Sequence, residues 1–199
     1  MNPILFEIPM PIATPRLFLR PPQSGDGVEL NAAILESFDE LSVWMPWADH
    51  KPTLDESEEN VRRAAAKFIL REDLRISIFD RATGKLAGST GLHRINWRLP
   101  SFEIGYWLRK SFTGKGYITE ATNALTRFAF KEFKAKRIEL RCNSKNEKSV
   151  AVFKRLGFEY EGCLRSSDVH ANSQVVESRD TLIYSRLNIN GLPLLEVSW

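Results

Sequence analysis

The stretch SFEIGYWLRKSFTGKGYITEA, residues 101–121, changes its hydrophobic period half-way along. As far as Arg109 the pattern alternates, with Phe102, Ile104 and Tyr106 on one side and Glu103 and Trp107 on the other, the period of a strand. From Gly116 the apolar residues Ile118, Ala121, Leu125, Phe128, Ala129 and Phe133 fall on one face of a helix. Between the two periods, Gly114 and Gly116 flank Lys115. Glycines this close serve a tight turn or let something approach the backbone. The segment KRIELRC (136–142) then reads as a strand again. A strand, a crossover helix and a second strand require a parallel pairing.

Working outward, TPRLFLRPP (14–22) reads as a first strand stopped by prolines. A helix opens at Asp26 and runs through Leu30, Ala33 and Ile34, and SVWMPWADH (42–50) reads as a loop. DESEENVRRAAAKFIL (55–70) is a second helix with acidic residues in its first turn, where the helix dipole favours them. RISIFD (75–80), LAGSTGLHRIN (86–96) and SFEIGYWLR (101–109) form an antiparallel meander. NEKSVAVFKRLGF (146–158) begins as a helix, and FEYEGCLR (158–165) and DTLIYSRL (180–187) are further strands. The expected fold is mixed α/β: one mostly antiparallel sheet of about seven strands with helices on both faces. A single domain over 1–199, with its core at about 12–190, accommodates these elements.

Composition excludes several classes. With 43% hydrophobic and 27% charged residues, the chain is that of a folded globular protein. The first ten residues carry Glu7 and two prolines and lack a basic region, so they do not read as a signal peptide. No apolar run approaches a bilayer span, and the expected location is the cytoplasm. Cys142 and Cys163 read as buried free thiols. His50, His93 and His170 have no metal-ligand spacing, so no metal is expected. The net charge of +3 admits anionic ligands and mildly favours an acidic partner. The basic residues are scattered among acidic ones, however, and no nucleic-acid face is expected.

The glycine loop fits neither common phosphate motif. A Walker loop would need glycine at Arg109 and Ser or Thr at Gly116, and a dinucleotide fingerprint would need Gly or Ala at Thr119. The physical content remains. A strand ends, a glycine turn follows, and a helix N-terminus points unpaired N–H groups outward beside Lys110 and Lys115. That is a site for an anion such as a diphosphate. The alternative is a plain connection with an ordinary helix cap.

GYWLRKSFTGKGYITEA followed by NEKSVAVFKRLGF resembles the acetyl-CoA-binding core of the GNAT superfamily of N-acetyltransferases. TPRLFLRP, EIGYWL, Asn146 with Ser149, and EGCLR followed by RDTLIYS resemble its branch that acetylates ribosomal-protein N-termini. The resemblance spans roughly residues 12–190. It implies transfer of an acetyl group from acetyl-CoA to a primary amine, most naturally a protein N-terminal α-amine. Acetyl-CoA contacts are implied for Trp107, Leu108, Phe112, Thr113, Gly114, Lys115, Gly116, Tyr117, Ile118, Asn146, Ser149 and Phe153. The backbone N–H groups at Trp107 and Leu108 would serve the oxyanion. Ser111 departs from the family, which carries Gln or Arg there.

The chemistry asks for a base to free the amine and an acid for the departing thiolate. Glu103, a carboxylate in an otherwise apolar sheet, is the candidate base, with a salt-bridged glutamate as the structural alternative and His93 as a second candidate. Phe153 stands where many family members carry a tyrosine acid, which leaves Ser149 as the candidate acid. Asn146 is expected at the pantetheine amide or as a helix cap. Trp44, Trp47, Asp49 and the 166–179 loop are expected to wall the acceptor cleft. Two rival readings are an acetyltransferase of a polyamine or antibiotic amine, and a non-catalytic binding module. The chain would act as a monomer or a homodimer.

Overall fold

The computed structural model describes residues 2–169 and 178–199. One sheet holds β1 (Ile12–Ala13), β2 (Leu17–Arg20), β3 (Leu74–Asp80), β4 (Leu86–Asn96), β5 (Ser101–Leu108), β6 (Arg137–Asn143), β7 (Glu159–Val169) and β8 (Ser178–Arg186). Their spatial order is β1-β2-β3-β4-β5-β6-β8-β7. Eight strands therefore replace the expected seven or so. The extra one, β1, is only two residues long, too short for alternation to reveal, and pairs Ile12 with Leu19. The β5–β6 pairing is parallel, as the crossover requires, and all the others are antiparallel.

Four helices cover the sheet: α1 (Gly27–Trp44), α2 (Leu54–Leu70), α3 (Tyr117–Glu132) and α4 (Glu147–Arg155). α2 begins in a capping box, with the Thr53 hydroxyl accepting from Glu56 N–H and the Glu56 carboxylate accepting from Thr53 N–H. Residues 42–44, expected in a loop, instead extend α1. The helix stops at Met45 because the following Pro46 disfavours the helical region for the residue before it.

Two apolar cores result. On one face Leu17, Leu19, Leu74, Ile76, Ile78, Phe102 and Ile104 meet Ala121, Leu125 and Phe128 of α3 and Val152 and Phe153 of α4. On the other, Leu30, Ala33, Ile34 and Leu41 of α1 and Val61 of α2 meet Leu86, Phe79 and Trp107. The segments outside 12–190 also pack against the first core, through Ile8, Met10, Leu192, Val197 and Trp199.

The expected 166–179 loop is partly strand. Asp168 pairs with Arg179 and Val169 with Ser178, because β8 supplies a partner that the polar sequence of β7 does not advertise. Residues 170–177, His170 among them, lie outside the described residues. Cys142 is half-buried and Cys163 exposed, so only the first fits the expectation of a buried thiol. Burial pushes the Cys142 thiol up to about 12.

Candidate active site

The sheet opens at its centre. The β5–β6 ladder runs from Ser101–Arg137 to Ile104–Leu140 and ends there, although β5 continues to Leu108 and β6 to Asn143. Past that point the two strands diverge. The direction of the freed groups follows from alternation. Arg109 N–H donates to Ala87 O and Gly105 O accepts from the Thr90 hydroxyl, so the odd-numbered residues face β4. The N–H groups of Tyr106 and Leu108 therefore face the gap, and that of Trp107 faces β4. Of the two expected donors, Leu108 points the right way, and Tyr106 joins it.

Below the gap lies the glycine loop. A single 3-10 turn at Lys110–Phe112 leads into Gly114 and Gly116, with φ of +75° and +78°. Gly116 is the N-cap of α3 and supplies no side-chain cap. Among the described residues, no hydrogen bond is donated by the backbone N–H groups of residues 114–119. This concave run of free donors at a helix N-terminus is an anion cradle. Arg16, itself paired with Glu120 at 2.6 Å, donates to Lys115 O at 2.8 Å, and Arg155, which donates to the Thr119 hydroxyl at 3.0 Å, adds positive charge to the rim. The Lys115 ammonium donates to Ser111 O and the Thr113 hydroxyl to Lys110 O. Phe112 stacks on Tyr117 at 5.7 Å, and the Tyr117 hydroxyl donates to Asp80 at 2.6 Å. Ile118 is half-buried.

Helix α1 holds this loop in place. Glu36 accepts from Arg109 Nε at 2.6 Å and from Ser111 N–H at 2.9 Å, Ser37 Oγ accepts from Lys110 N–H, and Glu40 pairs with the Lys110 ammonium. Burial alone would raise the Glu36 pKa. The Ser111 and Arg109 hydrogen bonds outweigh it and hold the group at about 2. Ser111 thus tethers the loop to α1 rather than standing free.

On the opposite side of the gap, a cavity of about 600 Å³ lies between α1, α2 and the sheet. Its floor can be read from register. Arg75 pairs with Gly91, and Gly91 with Gly105. One row away His93 pairs with Glu103, and on the other side Ser77 pairs with Ser89 and Ser89 with Trp107. The two glycines leave a pit, and the His93 ring lies in it. A Cβ on Gly91 would stand 2.8 Å from His93 Nε2, and one on Gly105 would stand 3.0 Å from Cδ2. His93 Nδ1 is 2.6 Å from Asp73 Oδ2. An ionised carboxylate only accepts, so Nδ1 carries the proton and the Nε2 lone pair is left over the pit. Trp47 and His50 line the cavity, whereas Trp44 and Asp49 do not.

Glu103 takes a different position. Its Oε2 is 3.1 Å from Arg94 Nε and 3.3 Å from Arg141 Nε, as an ion pair without an aligned hydrogen bond, and it does not line the cavity. Burial raises its pKa, with the two arginines acting in the opposite direction. The salt-bridged alternative describes it.

Asn146 caps α4, its Oδ1 accepting from Ser149 N–H at 3.1 Å. Phe153 is 1% exposed, packed between Tyr106 and Tyr184 at 6.4 and 5.3 Å, and reaches the gap only through Tyr106. The Tyr106 hydroxyl is buried without a hydrogen bond meeting normal geometry. Burial pushes the phenol well above its ordinary range, and the neighbouring Ser149 side chain acts against that shift. Tyr106, Arg75 and Asp73 were not singled out from the sequence. The available signals were a charged residue between Leu74 and Ile76 and glycines inside two strands.

A family model described as an acetyltransferase (GNAT) domain matches residues 16–159, well over half of the chain. The chain belongs to the GNAT family. As a GNAT protein it is an acetyl-CoA-dependent N-acetyltransferase. YdaF of Bacillus subtilis (strain 168), whose name assigns it only provisionally to ribosomal N-acetylation, is 32% identical over 145 residues, 70% of this chain and 76% of its own. The ribosomal-protein-serine acetyltransferase of Escherichia coli (strain K12) is 27% identical over 149 residues, 69% and 82%. Among solved structures, the microcin C7 self-immunity acetyltransferase MccE, in complex with acetyl-CoA and AMP, aligns with a TM-score of 0.80 and 26% identity over 87% of this chain and 93% of its own. The GNAT assignment sets aside the reading as a non-catalytic module.

The residues present fit acetyl-CoA: free N–H groups with a basic rim suit its diphosphate, and the gap between β5 and β6 offers Tyr106 and Leu108 N–H to an extended amide-bearing arm. Among the described residues no cluster of three or more His, Cys, Asp or Glu could hold a metal ion. Among the described residues no helix is long and apolar enough to cross a membrane.

Proposed function

We propose that this GNAT enzyme acetylates the free α-amine of a protein or peptide N-terminus, with His93 as the general base. The observation that carries this is the His93–Asp73 pair on the floor of the cavity, beside the gap. Acetyl-CoA supplies an activated acetyl thioester. The acceptor amine enters over Gly91 and Gly105, and His93 Nε2 takes its proton while Asp73 holds the ring. Leu108 and Tyr106 N–H, which face the gap, would donate to the thioester carbonyl oxygen as it gains charge. Ser149, backed by the buried Tyr106 phenol, supplies the proton for the leaving thiolate, and Asn146 Nδ2 is available for an amide of the pantetheine arm.

An α-amine suits such a base. Its ordinary pKa is about 7.7–8.0 against about 10.4 for lysine, so an imidazole has far less to remove near neutrality. The ribosomal-protein name carried by the E. coli relative supports the same acceptor class. Glu103, the base expected from the sequence, supports the strand through Arg94 and Arg141 in this reading.

The test is the initial rate with N-free peptides, N-blocked lysine peptides and spermidine or an aminoglycoside at saturating acetyl-CoA, across about pH 6.5 to 9. The N-free peptides should win. A small amine winning by about tenfold, or about 1.4 kcal/mol of transition-state energy, would replace the α-amine reading with the small-molecule one.

A further inference from the structure

Arg75 lies on the cavity floor between two apolar strand residues, and among the described residues no carboxylate forms a direct ion pair with it. Its Nη1 donates to Asn60 Oδ1. Its Nε is buried and makes no hydrogen bond, and among the described residues Nη2 makes none either. The edge formed by Nε–H and Nη2–H, the fork that grips an oxyanion with two parallel bonds, has no partner within the described residues.

The nearby carboxylates are engaged elsewhere. Asp73 holds His93, Asp26 is gripped by both terminal nitrogens of Arg20 at 2.7 Å, and Glu56 accepts from Thr53 N–H and its hydroxyl. Among the described residues no carboxylate forms an ion pair with Arg75, whereas Arg16, Arg20, Arg109, Arg137 and Arg141 each have one. Burial lowers the Arg75 pKa, with the more distant Asp73 and Asp26 charges acting in the opposite direction. Taking a guanidinium out of water without a direct ion-pair partner is unfavourable, and a ligand that brings an anion to it relieves this.

We infer that the acceptor carries an oxyanion, a carboxylate or a phosphate, close to its reacting amine, and that the Arg75 guanidinium on the cavity floor binds it. The spacing suits this. Arg75 is paired across the ladder with Gly91, over which the His93 ring lies, so one end of a short acceptor meets the base while the other meets the guanidinium. The inference rests on the proposed function for the position of the amine at His93. For a peptide it means an acidic or phosphorylated residue directly after the N-terminal one. The tryptophan pair Trp47 and Trp107, 6.0 Å apart, closes the far wall with apolar surface.

Matched acceptors test it. Alanyl-aspartyl against alanyl-asparaginyl peptides probe a carboxylate, alanyl-phosphoseryl against alanyl-seryl peptides probe a phosphate, and aminohexanoate against hexylamine probes an anion on an amine that is not an α-amine. The wild-type enzyme should show kcat/KM at least about tenfold higher for the anionic member of a pair, the scale of one good charge-assisted contact. Arg75→Gln should erase that ratio, and Arg75→Lys, which keeps the charge and loses the fork, should restore only part of it. A wild-type ratio near one, or a ratio that survives in Arg75→Gln, overturns the anion site. The wild-type ratio needs no variant, so a misfolded substitution leaves the test intact. Equal rates for the acidic and neutral peptides would sink the anion site and leave the α-amine reading standing. Aminohexanoate outrunning hexylamine while no peptide reacts would do the reverse. No acetylation of any acceptor would overturn both.

Discussion

His93 can occupy the cavity floor because Gly91, two residues before it on β4, and Gly105, diagonal to it on β5, lack side chains. Gly105→Ala puts a methyl 3.0 Å from the imidazole Cδ2, closer than ordinary van der Waals contact, so the ring must shift. It should lower kcat/KM about tenfold or more while the thermal stabilisation by CoA is unchanged. His93→Ala should lower kcat/KM roughly 10²–10⁴-fold near neutral pH, the range of general-base help. That deficit should shrink as pH rises past about 7.7–8.0, where an α-amine deprotonates unaided. Glu103→Gln should cost less than about tenfold and show no such recovery. Initial rates over a pH series separate the two, and a larger, pH-recovering loss in Glu103→Gln would return the base to Glu103. At this scale the sequence is informative about chemistry and poor about geometry. A carboxylate in a strand stands out along the chain, but that Arg94 and Arg141 flank Glu103 depends on three strands meeting. The same holds for Tyr106. Its alternation puts it on the apolar face, and only the divergence of β6 makes its hydroxyl a neighbour of Ser149.

The strand–loop–helix unit was the most legible element, because a period change flanked by glycines needs no long-range information. What the pattern could not show was the hold of α1 on the loop. Glu29, Glu36 and Glu40 recur at helical spacing, but their basic partners are some seventy residues away. Two outcomes follow for this element. Gly116 has φ of +78°, where a β-branched residue is strained, and only the Arg16 side chain lies near its missing Cβ, at 3.5 Å. The backbone conformation is therefore the constraint. Gly116→Val should lose the stabilisation by CoA, about 2.7 kcal/mol at a hundred times Kd, in a protein that still folds. Undiminished stabilisation would remove the loop from the cofactor site. The Glu36 tether should appear in the pH dependence. Its folded pKa is held below its ordinary 4.5, at about 2. Its contribution to stability is therefore complete above about 4.5 and is lost as pH falls toward 2. The Tm gap between wild type and Glu36→Gln should be widest near neutrality and close across that window. A gap that stays constant would mean that the carboxylate charge is not what holds the loop.

Across the whole molecule, the sheet separates two jobs: α3 and α4 seal one face, and α1 and α2 enclose the acceptor cavity on the other, with the β5–β6 gap as the passage between them. Helix α3 serves this division with its two ends. Its N-terminus carries the cradle, and from Asn123 onward it is gripped by the end of the chain. Asn123 and Arg127 donate to Pro193 O at 2.8 Å, Ser198 exchanges both backbone hydrogen bonds with Ala13 at 2.8 and 3.0 Å, and the Trp199 ring meets Phe128 edge-on at 5.2 Å. The sequence places this last segment beyond the core because GLPLLEVSW has neither strand alternation nor helical period; tertiary contact alone makes it structural. Removing residues 194–199 should therefore cost about 2 kcal/mol or more, since one half-buried tryptophan and its neighbours leave an exposed apolar face on α3 and β1. For a chain of this length that is a fall in Tm of about 4–8 °C. The rise in Tm on adding CoA should survive in full, because a 16-residue helix puts about 24 Å between the two ends. Loss of both the baseline Tm and the CoA-induced rise would show that the tail sets the position of the cradle through α3, and that the two ends of the helix do not act independently.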